Sequence, residues 1–223
     1  MCGRFTLTID PADLRDAFPG LTFPEEMAPR YNIAPSQPVA VVANDGKNQV
    51  EFFKWGLVPS WAKDPEIGNR MINARAETLS EKPSFRAAYK RRRCLILADG
   101  FYEWQPTPGS KSKTPMLIKL KSGEPFAFAG LWEAWHPDQE DAILSCTIIT
   151  TTPNALMEKI HNRMPVILSQ AAYSVWLDPA EQTSTTLDKL LKPYPASQMA
   201  AFTVSRLVND PKNDSPECIA PAR

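Results

Sequence analysis

No apolar run in the 223-residue chain reaches the roughly 20 residues a membrane-spanning helix needs. The N-terminus lacks the basic stretch and apolar core of a secretory signal, so no membrane partner is expected. There is no surplus charge of either sign: 25 Lys+Arg stand against 25 Asp+Glu. That excludes a global positive field as the means of coating nucleic acid and leaves room only for a local basic groove. Histidine is scarce, with two in the whole chain. The four cysteines, Cys2, Cys94, Cys146 and Cys218, contain no C-x-x-C pair, so no metal site is expected. Their usage fits a reducing cytoplasm. No Walker loop, dinucleotide fingerprint, nucleophile elbow or H-E-x-x-H motif occurs, and no cofactor is expected.

What is present is an ordinary globular composition, 43% hydrophobic and 22% charged, enough for one sizeable domain or two small ones. Proline is frequent, at 22 residues, which favours turns and short strands over long helices. Asp10 followed by Pro11 marks a helix start, ending near Phe18–Gly20. Val39–Ala43 reads as a strand, turned at Asp45-Gly46 into Gln49–Phe53. Ser84 caps a short helix through Arg92. Strands are expected at Cys94–Ala98, Phe101–Trp104, Pro115–Leu120, Phe126–Trp132 and Ile143–Thr151. The polar stretch Gln105–Thr114 reads as an exposed loop. Pro153-Asn154 opens a helix carrying Leu156, Ile160 and His161; Val166–Leu168 follows as a strand. Helices from Ser169 to Trp176 and from Thr186 to Leu191, and a strand at Phe202–Val204, complete the chain. The sum is an α+β fold: a curled, mostly antiparallel, barrel-like sheet with peripheral helices.

The chemistry centres on Cys2. Loss of Met1 would leave a thiol and a free α-amine on one residue. The amine has an ordinary pKa near ~8 and the thiol near ~8.5. Together they form a 1,2-aminothiol, which closes a five-membered ring on an aldehyde. Arg4 next to it would lower the thiol pKa and attract an anion. Glu103 shares a strand face with Phe101, where desolvation would raise its pKa toward a proton-shuttling range. An edge glutamate facing water is the competing reading. His161, at an expected helix end, would favour imidazolium and suit a general acid; the alternative is a simple helix cap. Asn73 and Arg75, two apart in extended chain, point to one side and could hold one ligand, Arg75 forking onto a phosphate, unless both serve buried hydrogen bonds. Lys90–Arg93 is the strongest basic run. Such runs are usually solvated, but beside Trp61 and Phe85 it would form a stacking-plus-cation surface for single strands. Cys94 and Cys146, inside apolar runs, read as buried small hydrophobes. His136, among turn residues, reads as solvated surface.

Seven stretches in order, Met1–Phe5 (MCGRF), Tyr31–Pro35 (YNIAP), Trp55–Trp61 (WGLVPSW), Ile72–Thr78 (INARAET), Ala98–Trp104 (ADGFYEW), Ile160–Pro165 (IHNRMP) and Val204–Asn209 (VSRLVN), resemble the SOS-response-associated peptidase (SRAP) family. The resemblance implies a single domain over residues 1–223. It implies a protein that shields abasic sites in single-stranded DNA. Carried over by position, Cys2 would be the crosslinking nucleophile, with Asn73, Glu103 and His161 as its companions. Arg4, Asn32, Arg75 and Arg163 would fall on DNA-contacting positions, and Trp61 and Phe85 on an aromatic wedge. Removal of the chain's own Met1, and a weak abasic-site lyase activity within the peptidase/hydrolase and lyase classes, are also implied. A monomer in the cytoplasm, on the nucleoid when DNA is damaged, is the expected form.

Two rivals follow from the same residues. Class II glutamine amidotransferases also begin Met-Cys-Gly and use the thiol on an amide, with the α-amine as base. A noncatalytic single-strand binder would need no Cys2 at all.

Overall fold

The computed structural model describes residues 2–107, 109, 112–136 and 139–222. Thirteen strands are described: β1 (Arg4–Leu7), β2 (Arg30–Ile33), β3 (Pro38–Ala43), β4 (Val50–Trp55), β5 (Asn73–Arg75), β6 (Arg93–Ala98), β7 (Gly100–Pro106), β8 (Lys113–Leu120), β9 (Phe126–Trp135), β10 (Ile143–Thr151), β11 (Met164–Pro165), β12 (Ile167–Leu168) and β13 (Met199–Thr203). The helices are α1 (Pro11–Ala17), α2 (Pro83–Arg91), α3 (Gln170–Trp176) and α4 (Ser184–Asp188).

Five strands close on themselves. β4 pairs β3, β3 pairs β6, β6 pairs β9 and β9 pairs β10, all antiparallel, and β10 returns to β4 in parallel. The β-branched and aliphatic runs Val39–Ala43 and Cys94–Ala98 supply its fully buried staves, as near-continuous apolar strands do when both faces are covered. Closure removes the unpaired edges an open sheet would expose. An open sheet in the order β13-β8-β7-β1-β2 lies against this barrel. Phe5 of β1 joins the two layers, edge-on to Trp55 at 5.1 Å and to Phe128 at 5.7 Å. Phe101 of β7 meets Phe128 at 6.1 Å.

The barrel-like α+β architecture expected from the sequence is present. α1 begins as expected, Asp10 accepting from the Ala12 N–H at 2.8 Å with Pro11 in the first position. The helix expected after Pro153 is reduced to one 3-10 turn, Met157–Lys159. Asn154 caps its start: its Oδ1 accepts from the N–H groups of Leu156 and Met157 while its Nδ2 donates to the Tyr194 carbonyl. The chain is then drawn back at once into β11, with Met164 opposite Thr151. Both ends of the loop expected over Gln105–Thr114 are strand; Pro108, Ser110 and Lys111 of that stretch, like Pro137 and Asp138 after His136, lie outside the described residues. Three short strands, β1, β2 and β5, carry no period long enough to announce themselves, and they hold the site.

Candidate functional site: the pocket around Cys2

β1 brings Cys2 to the junction of the two layers. Arg4, Phe5 and Thr6 pair with Tyr102, Phe101 and Gly100 of β7. This register depends on Gly100, where an added Cβ would lie 2.8 Å from Thr6 Oγ1. It is locked by buried Asp99, which accepts from Thr6 Oγ1 at 2.6 Å and from Thr8 Oγ1 at 2.5 Å, with Lys119 Nζ at 3.6 Å. A carboxylate enclosed in apolar strands needs such partners, and Asp99 was not singled out by sequence reasoning. The one signal was its place between the apolar run Leu95–Ala98 and a glycine.

Cys2 is fully buried. Its thiol donates weakly to the Arg4 carbonyl at 3.8 Å. Asn73 reaches it from β5, donating from Nδ2 to the Cys2 carbonyl at 2.8 Å. β5 is placed for this by parallel pairing with β10, Asn73 opposite Ile148 and Arg75 opposite Thr150. The Asn73 Oδ1 is buried without a protein partner. Glu103 on β7 is 3% exposed and shares with Phe101 the face turned toward the main core, as alternation required; the competing water-facing reading is excluded. Burial, first, and the Glu103 carboxylate, second, push the Cys2 thiol well above the ordinary range. The expected depression by Arg4 does not occur. The Arg4 guanidinium lies away from the thiol, donating to Asn32 Oδ1 at 2.8 Å and to the Val208 carbonyl at 2.7 Å, with its carbon 6.0 Å from the Trp104 ring.

His161 follows the 3-10 turn, and its N–H donates to the Met157 carbonyl at 2.8 Å. Its Nδ1 lies 3.0 Å from the Arg163 backbone nitrogen and 3.3 Å from the Arg163 carbonyl oxygen, so the ring is held against that residue's backbone. The helix whose end was expected to favour imidazolium is here a three-residue turn, Met157–Lys159, which supplies little dipole.

The DNA-contacting candidates separate into two groups. Arg75 is exposed at the end of β5 and Trp61 is 59% exposed. Phe85 is half-buried on α2 and packs on the core. Asn32 is not at a surface: it is wholly buried, its Nδ2 shared among the carbonyls of Val208, Asp210 and Asn213. Arg163 is held bidentately by Glu77, at 2.6 and 2.9 Å, and donates to the Thr150 carbonyl at 2.5 Å. The basic run at the end of α2 is divided: Lys90 and Arg91 are exposed beside Glu181, whereas Arg92 and Arg93 turn inward. Arg93 is fully buried and donates to the carbonyls of Trp176, Tyr89, Lys90, Asp178 and Ala180. Arg92 pairs with Glu133 and Arg91 with Glu181.

A buried cysteine with its carbonyl held by an amide and a carboxylate beside its thiol put a thiol and a proton-carrying group in one enclosed site. The sequence profile described as SOS response associated peptidase (SRAP) matches residues 1–211. The Bacillus subtilis (strain 168) protein named abasic site processing protein YoqW is 53% identical over 222 residues, 98% of this chain and 99% of its own. Abasic site processing protein HMCES of Rattus norvegicus is 33% identical over 237 residues, covering 89% of this chain and 67% of that one. A crystal structure of a Bacteroides thetaiotaomicron protein superposes over 100% of both chains with a TM-score of 0.88 at 26% identity. Profile, relatives and fold agree, and the chain belongs to the SOS response associated peptidase (SRAP) family.

Proposed function

We propose that this protein processes abasic sites in single-stranded DNA by capturing them covalently on Cys2, once Met1 has been removed. The observation that carries this reading is the double hold on Cys2: its carbonyl fixed by Asn73 and its thiol enclosed beside Glu103.

The order of bond formation follows from the thiol's environment. Burial keeps the thiol protonated, so the α-amine attacks first, at C1′ of the ring-opened aldehyde. As the ring opens, His161 gives a proton to the sugar ring oxygen and takes up the one released by the C1′ hydroxyl. Glu103 takes the proton whose loss frees the amine to attack; the carbinolamine then loses its hydroxyl as water with that proton, and an iminium remains. The thiol then adds to the same carbon and its proton returns to Glu103. One C–N and one C–S bond form, one water leaves, and the product is a thiazolidine. Both nucleophiles sit on one residue, so the second step gains the high effective molarity of ring closure. Rapid closure limits the iminium's β-elimination, so lyase chemistry is a minor leak. A glutaminase needs the thiol to attack first, as thiolate, and the enclosure of Cys2 favours the amine-first order instead.

The test is intact-mass measurement after mixing the protein with an oligonucleotide carrying one abasic site. The expected species is the protein lacking Met1, plus the oligonucleotide, minus one water. Cys2→Ala keeps the α-amine and loses the thiol, so it should give only an imine that hydrolyses on dilution and no stable adduct. An unmodified mass for the parent protein, or a stable adduct that survives Cys2→Ala, overturns the reading.

A further inference from the structure

Glu77 and Arg163, 86 residues apart, close a two-pronged ion pair: Arg163 Nη1 donates to Glu77 Oε1 at 2.6 Å and Nη2 to Oε2 at 2.9 Å. The two partners are unequal. Arg163 is fixed from behind, its Nη2 also donating to the Thr150 carbonyl at 2.5 Å, and its side chain is 14% exposed against 47% for Glu77. The carboxylate does not saturate the guanidinium, whose Nε is buried with no protein partner among the described residues. Glu77 rides on a single 3-10 turn, Ala76–Thr78, that no side chain caps. Beside it opens a hollow of about 230 Å³ lined by Ala76, Glu77, Ser80, Thr151, Asp188 and Leu191. An anchored cation thus meets solvent through an anion that has somewhere to go.

The pair stands next to the hold on the nucleophile. Asn73 at one end of β5 grips the Cys2 carbonyl, and Arg75 at the other end lies opposite Thr150, the residue that anchors Arg163. The hydrogen bond from Arg163, and to a lesser degree the charge of Arg75, hold the Glu77 carboxyl below its ordinary range, so it is ionised at neutral pH. A carboxylate and a phosphodiester offer a guanidinium fork the same two-oxygen edge and a single charge. A partly exposed ion pair contributes little, so exchange of one anion for the other is close to balanced.

We propose that Glu77 is a built-in stand-in for a backbone phosphate: it occupies the Arg163 fork until a strand arrives, is displaced by the phosphate into the neighbouring hollow, and keeps affinity below what the bare fork would give. A tethered anion outcompetes free phosphate in solution, whereas a strand held at several points is itself tethered once bound. Glu77 thereby selects polymer over small anions. This rests on the single-strand reading above and names what the strand must displace.

The test is the Kd of the full chain for an unmodified single-stranded oligonucleotide. Glu77→Gln should tighten binding about threefold, the fold-change of one exposed ion pair. Glu77→Asp keeps the charge but draws it one methylene back from the fork, and should also tighten binding. In an Arg163→Met background, which keeps the stem and lacks the fork, Glu77→Gln should move Kd by less than about 1.5-fold. The urea midpoint of Glu77→Gln should fall slightly while its affinity rises, because the folded chain loses the bridge. Weaker binding together with a lower midpoint would mark a merely structural role and overturn the proposal. An equal gain in the Arg163→Met background, or a gain in Glu77→Gln with none in Glu77→Asp, would mean simple charge repulsion and overturn it as well. A parent that does not bind the strand overturns the single-strand reading and this proposal together; a parent that binds, with no gain in Glu77→Gln, overturns this proposal alone.

Discussion

Arg4 and Asn32 lie 28 residues apart and meet at 2.8 Å, guanidinium Nη1 to amide Oδ1, beneath the chain segment Val208–Asp214. The same segment sends Asp214 back to the β2 edge, where its carboxylate accepts from the N–H groups of Tyr31 and Asn32 and from Arg30 Nε. The strand that carries Cys2 is thus tied down by residues two hundred positions downstream. Removing the Asn32 amide takes one hydrogen bond each from the carbonyls of Val208, Asp210 and Asn213 and from Arg4 Nη1, in a site closed to water. Asn32→Ala should lower unfolding free energy by about 2–4 kcal/mol, read from urea midpoints. A loss under half a kcal/mol would show that the strap is not cooperative with β1.

Asn73 holds the Cys2 carbonyl through a single N–H. Asn73→Asp keeps the shape and loses the donor. It should slow covalent capture at saturating DNA about tenfold or more, in line with the loss of one positioning hydrogen bond in an enclosed site. Kd for unmodified strand should move less than twofold. A change confined to Kd would assign Asn73 to binding.

The two classes of basic residue give opposite expectations. Both Arg75 and Arg91 are exposed, but Arg91 is paired with Glu181 at 2.9 Å. Arg75→Ala should weaken single-strand binding and lessen the slope of log K against log salt by about 0.7, the value for one phosphate contact. Arg91→Ala should change neither by more than experimental scatter. The reverse result would restore the run after α2 as the strand-binding surface.

Burial raises the thiols of Cys2, Cys94 and Cys146 above their ordinary range. In the unfolded chain these thiols ionise near pH ~8.5, while in the folded chain they stay protonated. Above that pH the folded state binds more protons than the unfolded state, so stability falls as pH rises. The contribution is fully present below pH ~8.5 and lost progressively above it. Denaturant midpoints should therefore fall between pH 8 and pH 10, and Cys2→Ser should show a shallower fall. An identical slope in that variant would mean the Cys2 thiol is open to water.

The strands that make the barrel were legible because Val39–Ala43, Cys94–Ala98 and Ile143–Thr151 are apolar runs bounded by turn residues, and burial on both faces writes itself as hydrophobicity. The α1 start was legible because Asp10-Pro11 is a local signal. What could not be read is what depends on partners far away in sequence. β5 is three residues long and is a strand only because β10 lies beside it. Arg93 sits in a basic run, and only the convergence of carbonyls from α2 and from Trp176–Ala180 makes it a buried cap. The helix after Pro153 is short for the same reason: its start at Asn154 is a local signal, but the pairing of Met164 with Thr151 that draws the chain back into a strand is not. Phe101 and Glu103 sharing a face followed from strand alternation alone, whereas the hold of the Arg163 backbone on the His161 ring needed the fold to be seen.

The barrel's single parallel seam joins β4, near residue 50, to β10, near residue 145. Nearly a hundred residues must be made and looped before that seam can form, a slow, non-local event in any chain. Asn73 docks on the same β10 strand, so the clamp on the nucleophile cannot assemble while the seam is open. The hold of Asn73 on the Cys2 carbonyl is therefore a late product of folding.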